Sequence, residues 1–168
     1  MPLERFSAAW REGYVSGAGA SLNATDEGEC VFCVLAREEV SETSGVLWRD
    51  EHTFVTLNAF PYGSGHVLVL PLRHVAEIAE LSDVEYESLF MSVRRTALAI
   101  EAAYGADGMN IGMNLGRAGG AGIPKHLHAH VLPRWNGDTN FMTTIGETRV
   151  LPESLQSTWE KIHTTIRT

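Results

Sequence analysis

Residues 126 to 133 read His126-Leu127-His128-Ala129-His130-Val131-Leu132-Pro133, three histidines at strict two-residue spacing. On an extended segment successive side chains point to opposite faces. The three imidazoles then share one face, about 6.6 to 7 Å between neighbours, while Leu127, Ala129 and Val131 turn the other way. A helix would fan the same rings around its axis and give them no common target. The segment therefore predicts a strand with a core on one face and a row of nucleophile, base and ligand candidates on the other. Seven histidines in 168 residues leave little room for such clustering on an ordinary solvated strand. The row is preceded by a loop from Gly116 to Lys125 with further glycines at Gly119, Gly120 and Gly122. Its backbone N–H groups could converge on phosphate oxygens, and Arg117 and Lys125 could add positive charge. A phosphorus centre held there lies within reach of an imidazole. Displacement by His128 would give a covalent phosphoramidate, with water, phosphate or another acceptor as the second nucleophile.

Cys30-Val31-Phe32-Cys33 offers two thiolates at a spacing common in zinc sites, and such a site needs two more ligands. Alone, the pair equally suits a redox motif or two small buried side chains. His74, just after the Leu70-Pro71 strand end, and His126, first of the row, are the best candidates to complete the set. A metal held by Cys30, Cys33, His74 and His126 would be structural, leaving the chemistry with His128 and His130. His66 opens a strand next to Gly65, where orienting a neighbouring site and simple packing are both open. His52 reads as a turn residue and His163 as an exposed helix residue.

The elements that must position these groups are legible in outline. Val46 to Arg49 and Thr53 to Leu57, separated by Asp50-Glu51-His52, read as a hairpin. Tyr62 to Gly65 is a turn, and His66 to Leu70 a strand closed by Pro71. Ser82 and Glu85 form a capping box. Leu89, Phe90, Val93, Ala97, Ile100 and Tyr104 then recur at helical spacing until Gly105. Met109 to Leu115 is a further strand, and Gly112 within it predicts a bulge or a close backbone approach. The segment from Pro133 to Val150 looks irregular. Pro152 opens a last helix with Leu155, Trp159, Ile162 and Ile166 on one stripe. Residues 1–29, glycine-rich with Trp10 and Tyr14 as anchors, form an N-terminal arm; residues 30–168 form a single domain. The fold class is α+β, a mainly antiparallel sheet with one long helix and a C-terminal helix.

Composition narrows the function. Lys and Arg number 13 against 21 Asp and Glu, for a net charge of −8, so no global basic field gathers nucleic acid and any phosphate site must be local. No run of apolar residues is long enough for a membrane span, and the N-terminus lacks a signal-peptide core. A cytoplasmic protein is expected, with no nucleic-acid or membrane partner.

His126-Leu-His128-Ala-His130-Val-Leu resembles the signature of the histidine-triad (HIT) superfamily, and Gly65-His66-Val-Leu-Val-Leu-Pro71-Leu-Arg73-His74 resembles its other long motif. Within it, the stretch from Gly112 through Asn114, Gly116 and Gly122 to His126, continuing to Met142, looks most like the diadenosine tetraphosphate phosphorylase or ATP adenylyltransferase branch. Trp10-Arg11 and Tyr14 echo the N-terminal segment of that branch. The resemblance implies a HIT-like domain in which His128 is the nucleophile at the α-phosphorus and His130 contacts phosphate and assists the leaving group. It implies that Asn58 binds the ribose hydroxyls and Asn114 lies on the phosphate side, and it assigns structural Zn2+ to Cys30, Cys33, His74 and His126. Many relatives carry a serine or glutamine just before the triad, where this chain has Gly122-Ile123-Pro124. Backbone N–H groups of Gly122 and Ile123 must serve there, since Pro124 has none. That departure favours the phosphorylase-like branch.

The function expected is nucleotidyl transfer or hydrolysis on adenine dinucleoside polyphosphates through a nucleotidyl-histidine, in a homodimer or larger homo-oligomer. The alternatives are a purine nucleoside phosphoramidase-type hydrolase, a nucleotide-binding regulatory module with little turnover, and a zinc-stabilised interaction protein.

Overall fold

The computed structural model describes residues 29–140 and 153–167. The expected N-terminal arm with Trp10, Arg11 and Tyr14, and the segment around Met142 and Pro152, lie outside the described residues. Nine elements matter here: a short helix α1 (Val31–Leu35), strands β1 (Val46–Arg49), β2 (Thr53–Leu57) and β3 (Val67–Pro71), a 3₁₀ turn at Ile78–Glu80, helix α2 (Asp83–Tyr104), strands β4 (Gly108–Met113) and β5 (Ala129–Arg134), and helix α3 (Leu155–Ile166).

The strands form one five-stranded sheet in the order β1-β2-β3-β5-β4, antiparallel throughout. The β1–β2 hairpin closes because the Asp50 carboxylate accepts the backbone N–H groups of His52 and Thr53 at 2.8 and 2.7 Å, an Asx-type turn. Strand β3 is central and buried along its whole length. Its alternate residues serve two cores. Val67 and Val69 join Leu127, Ala129, Val131 and the inward faces of α2 and α3, while Leu68 and Leu70 join Phe32 and Phe54. The sheet thus has a thick helical side and a thin side covered by α1. The apolar partners of the histidine row lie on the thick side as expected, which directs the imidazoles to the thin one.

Helix α2 starts at Ser82 with the expected capping box, in which Glu85 and Ser82 satisfy each other's backbone N–H, and stops at Gly105 with φ 57° in the left-handed region. The inward stripe differs from the sequence reading. Leu89, Val93 and Ile100 are buried with Ser92, Thr96 and Ala99, whereas Phe90 is 42 % exposed. Small and hydroxylated residues fit here because the helix lies close on the sheet, where the Ser92 and Thr53 hydroxyls share a hydrogen bond of 2.7 Å. In α3, Thr158, Ile162 and Ile166 are buried and Leu155 is exposed.

Three further differences concern the strands. The β5 ladder begins at Ala129, so His126 and His128 precede it on an extended approach. Strand β4 runs from Gly108 to Met113 in unbroken register with β5, and a Cβ at Gly112 would meet nothing within 4 Å, so Gly112 marks neither a bulge nor a close approach. His163 is not free on the surface: it stacks on Trp159 at 4.2 Å, and its Nδ1 lies 3.3 Å from the Leu47 carbonyl. Among the described residues no helix is long and apolar enough to cross a membrane.

Candidate active site and metal centre

The thin side of the sheet carries two neighbouring groups of side chains. The first gathers Cys30 at the start of α1, Cys33 within it, His74 after β3 and His126 before β5, with one ligand atom from each within 4.8 Å of all the others. Cys30 Sγ and Cys33 Sγ lie 3.6 and 3.7 Å from His126 Nδ1, and Cys33 Sγ lies 3.1 Å from His74 Nδ1. A tetrahedral ion with bonds of about 2.3 Å to sulfur and about 2.0 to 2.1 Å to nitrogen places such atoms about 3.6 Å apart. Two sulfur and two nitrogen donors at these separations fit a closed four-coordinate centre. The ring of His126 is prepared for it: Nε2–H donates to the Pro71 carbonyl at 3.0 Å, which leaves Nδ1 as the unprotonated atom. Burial holds this imidazole down to about 4, against the pull of the Pro71 hydrogen bond. Desolvation, reinforced by the neighbouring Cys30, pushes the Cys33 thiol up to about 11. A divalent ion would displace those thiol protons on binding.

The second group lines a pocket of about 350 Å³. Its apolar wall is Val31, Phe32 and Leu35 of α1, with Leu57, Phe60, Leu68 and Ile123; its polar end is Asn58, Asn114, His128 and His130. Gly122 completes the rim, so the loop residues expected to offer backbone N–H groups stand at the pocket. The remainder of the glycine loop is folded on itself: Gly120 N–H donates to the Arg117 carbonyl at 3.0 Å and Ala121 N–H to that of Gly116 at 3.2 Å. A Cβ at Gly119 would fall 2.4 Å from the Leu115 carbonyl oxygen, so this turn closes only with glycine. Arg117 and Lys125, expected to lend positive charge, are exposed and do not line the pocket.

His128 is 6 % exposed, and its Nδ1–H donates to the His126 carbonyl at 2.8 Å. The lone pair is therefore on Nε2. Burial lowers its pKa below that of an ordinary histidine, more than the hydrogen bond to the carbonyl raises it, so the ring is a neutral base at neutral pH. Phe32 packs against it at 5.4 Å between centroids, and His130 follows at 5.1 Å. His130 reaches Asn114 at 3.5 Å through Nε2 and His66 at 2.9 Å through Nδ1. Asn58 Oδ1 accepts the Phe60 backbone N–H at 3.0 Å, which turns its Nδ2 toward the His66 ring at 3.3 Å.

The structure thus brings Cys30, Cys33, His74 and His126 into one group and Asn58, Asn114, Gly122, Ile123, His128 and His130 into a second, joined to the first at Leu127, while Arg117 and Lys125 stand apart from both. It adds three. His66, left open between orientation and packing, is 1 % exposed and bonded to His130. Tyr62 stacks on His130 at 5.6 Å and packs on His66 at 4.5 Å. Phe32 touches both His126 and His128. Position between the two cysteines was the available signal for Phe32; for Tyr62 the sequence gives only the turn.

Comparison with known proteins matches this geometry. The family model described as HIT domain covers residues 39–137. The chain is 32% identical over 157 residues to the AP-4-A phosphorylase of Mycobacterium tuberculosis, covering 93% of this chain and 80% of that protein. It is 37% identical over 95 residues to the asymmetrical bis(5'-nucleosyl)-tetraphosphatase of Schizosaccharomyces pombe, covering 56% of this chain and 52% of the relative. Among solved structures, a Zn-bound histidine triad family protein from Mycobacterium smegmatis superposes with a TM-score of 0.66 at 26% identity, over 82% of this chain and 93% of that one. With its histidine row, its sheet and its sequence all in agreement, the chain belongs to the HIT-domain family.

Proposed function

We propose that this protein is a nucleotidyltransferase of the diadenosine tetraphosphate phosphorylase type, which cleaves adenine dinucleoside polyphosphates through a nucleotide bound covalently to His128. The observation that carries this reading is the His128 ring itself. Its Nδ1–H is spent on the His126 carbonyl, so the Nε2 lone pair belongs to the wall of the nucleotide-sized pocket. The apolar wall formed by α1 and β2 suits a purine. Asn58 borders the region where a ribose would follow, and Asn114, His130 and the N–H groups of Gly122 and Ile123 surround the α-phosphate. The phosphorylase and tetraphosphatase names of the relatives support the same substrate class.

Cys30, Cys33, His74 and His126 hold structural Zn2+ in this reading, supported by the tetrahedral separations and by the Zn-bound relative. The protein acts as a homo-oligomer. Strand β4 is an open sheet edge with Ile111 52% exposed, a surface that a second copy would cover. Light scattering on the eluted protein gives the oligomeric state directly.

The decisive experiment uses substrate labelled at the α-phosphorus. Enzyme quenched during turnover traps acid-labile label on the protein, and His128→Ala abolishes both label and turnover. Turnover surviving that substitution would falsify the mechanism, while AMP binding with no transfer to any acceptor would leave a nucleotide-binding module.

A further inference from the structure

Strand β4 and the residue just past its end carry Asn110, Gly112 and Asn114 at the same two-residue spacing as the histidine row, and the register sets them beside that row. Gly112 is directly opposite His130, and directly opposed residues share a face. The intervening Met109 and Met113 pack on the helical core, which leaves Asn110 and Gly112 on the thin side, where Asn114 lines the pocket. Gly112 has no backbone reason to be glycine. Its φ lies outside the left-handed region, the ladder runs through it without a bulge, and a Cβ there would meet nothing within 4 Å. Glycine inside a strand weakens it, so a side chain here would favour the strand. What the missing side chain does is keep one flank of His130 clear. The opposite flank is filled by His66 at 2.9 Å, by the stacked ring of Tyr62 and by β3. Amides stand at both ends of the bare stretch. Asn114 Nδ2 lies 3.5 Å from His130 Nε2, and Asn110 Oδ1 accepts from Arg134 at 2.7 Å, which leaves the Asn110 Nδ2–H groups as donors on an exposed side chain.

The pocket of about 350 Å³ lies at the small end of nucleotide-sized sites and takes one nucleotide, so the rest of a dinucleoside polyphosphate must lie outside it. Resting on the function proposed above, we infer that Gly112 is a specificity-determining residue: its bare position beside His130 is the floor on which the leaving polyphosphate lies, running from Asn114 toward Asn110, and it admits substrates whose leaving group is long. In the transfer step the His128 Nε2 lone pair bonds to the α-phosphorus, the bond to the bridging oxygen breaks, and its electron pair departs with the polyphosphate. In-line displacement sends that oxygen away from His128. Beside His130 the β3 flank is closed and the β4 flank is open. A rise of about 3.3 Å per residue puts Asn110 and Asn114 about 13 Å apart, room for several phosphates in file. A branched side chain at position 112 would stand in that path next to the His130 ring while leaving the apolar wall and His128 untouched. The site would then accept nucleotides with a small leaving group and reject extended ones.

The test compares the full-length, metal-replete protein with Gly112→Ala, Gly112→Val and Gly112→Leu on two substrates. One is diadenosine tetraphosphate; the other is adenosine 5'-phosphorofluoridate, whose leaving group is a single fluoride ion and whose turnover is read by fluoride release. The ratio of kcat/KM for the first over the second should fall stepwise with side-chain size. At Gly112→Val the fall should be about 30-fold or more, within the range that one or two added methylenes produce in a binding site. AMP affinity by calorimetry and the melting temperature should not fall, since the strand gains a side chain. Asn110→Ala should lower the same ratio by about tenfold, the worth of one hydrogen bond to a charged oxygen. An unchanged ratio in folded Gly112→Val overturns the inference and leaves the function above intact. Loss of both activities together with AMP affinity assigns Gly112 a structural role and overturns the inference as well. Wild type that turns over neither substrate sinks the function instead. Calorimetry with a methylene-bridged analogue of diadenosine tetraphosphate then judges Gly112: its affinity relative to AMP should drop in Gly112→Val, and an unchanged relative affinity overturns the inference.

Discussion

The metal end and the nucleotide end of this site are fed by one segment, yet they use their histidines in opposite senses. In His126 the nitrogen turned to the backbone is Nε2, bonded to the Pro71 carbonyl, and Nδ1 joins the two cysteines. In His128, two residues on, Nδ1 faces the backbone, bonded to the His126 carbonyl, and Nε2 belongs to the pocket. Which nitrogen a carbonyl engages decides which one the same residue type presents, to the cysteines in one case and to the pocket in the other. The ends also differ in what holds them. The first gathers four ligands from three distant parts of the chain; the second is held by hydrogen bonds and ring packing, leaving an open cavity. They meet at Phe32, whose ring lies 5.6 Å from that of His126 and 5.4 Å from that of His128.

Substitutions that strike one end and spare the other sharpen this division. The largest effect expected is that of His128→Ala, which should lower nucleotidyl transfer by at least about 10⁴-fold, the scale on which a removed nucleophile acts. Nucleotide binding by calorimetry and the metal content should be retained. Comparable loss of bound metal would show that the two ends are not separate. Next comes metal extraction or Cys33→Ser, expected to lower stability by several kcal/mol and, because α1 supplies the pocket wall, to weaken AMP binding as well. Thermal melting with and without chelator, paired with AMP titration, measures both. Phe32→Ala should cost about 3 kcal/mol as a buried aromatic truncation and impair both ends at once, read by melting and by AMP affinity; an effect confined to one end would remove Phe32 as the bridge.

The smallest effect concerns the anchor of the His74 segment. Arg73 binds the Glu85 carboxylate at 2.7 Å and also the Glu80 carbonyl. The Arg73 guanidinium, followed by the Ser82 backbone N–H, holds Glu85 down to about 2, from an ordinary 4.5. A depressed carboxylate stabilises the folded state above its unfolded pKa, and that stabilisation fades as pH falls through 4.5 toward 2. Glu85→Gln should therefore melt slightly lower than wild type at neutral pH, by about 1 kcal/mol, the usual worth of a cap. The gap should close on acidification, and a gap that persists at pH 2 would assign the effect to packing.

The parts of the site that lie on contiguous sequence were legible in it. Alternation put Leu127, Ala129 and Val131 in the core and thereby fixed where His128 and His130 point, and Ser82 with Glu85 marked the start of α2. The four-residue metal set could be proposed because a cysteine pair at zinc spacing needs two more ligands and His74 and His126 were the best candidates to supply them. What escaped depended on contacts between distant segments. His66 meets His130 across 64 positions, and no local pattern tells a strand-opening histidine that packs from one that bonds a distant imidazole. Phe90 follows helical spacing yet faces outward, because the close approach of α2 to the sheet selects Ser92 and Thr96 for its buried stripe. Gly112 reads as an irregularity, but β4 is an edge strand with exposed side chains, where a missing side chain leaves the ladder undisturbed.

Helix α1 has five residues, too few to be stable in isolation, and Cys30 and Cys33 belong to the metal set while Val31, Phe32 and Leu35 line the pocket. Order in the nucleotide wall is thus borrowed from the ion. Linkage requires the debt to run both ways: whatever ordering of α1 the ion gives to nucleotide affinity, a bound nucleotide must return as a tighter grip on the ion. At equilibrium with a chelator, the share of protein that keeps Zn2+ should then be larger when AMP is present.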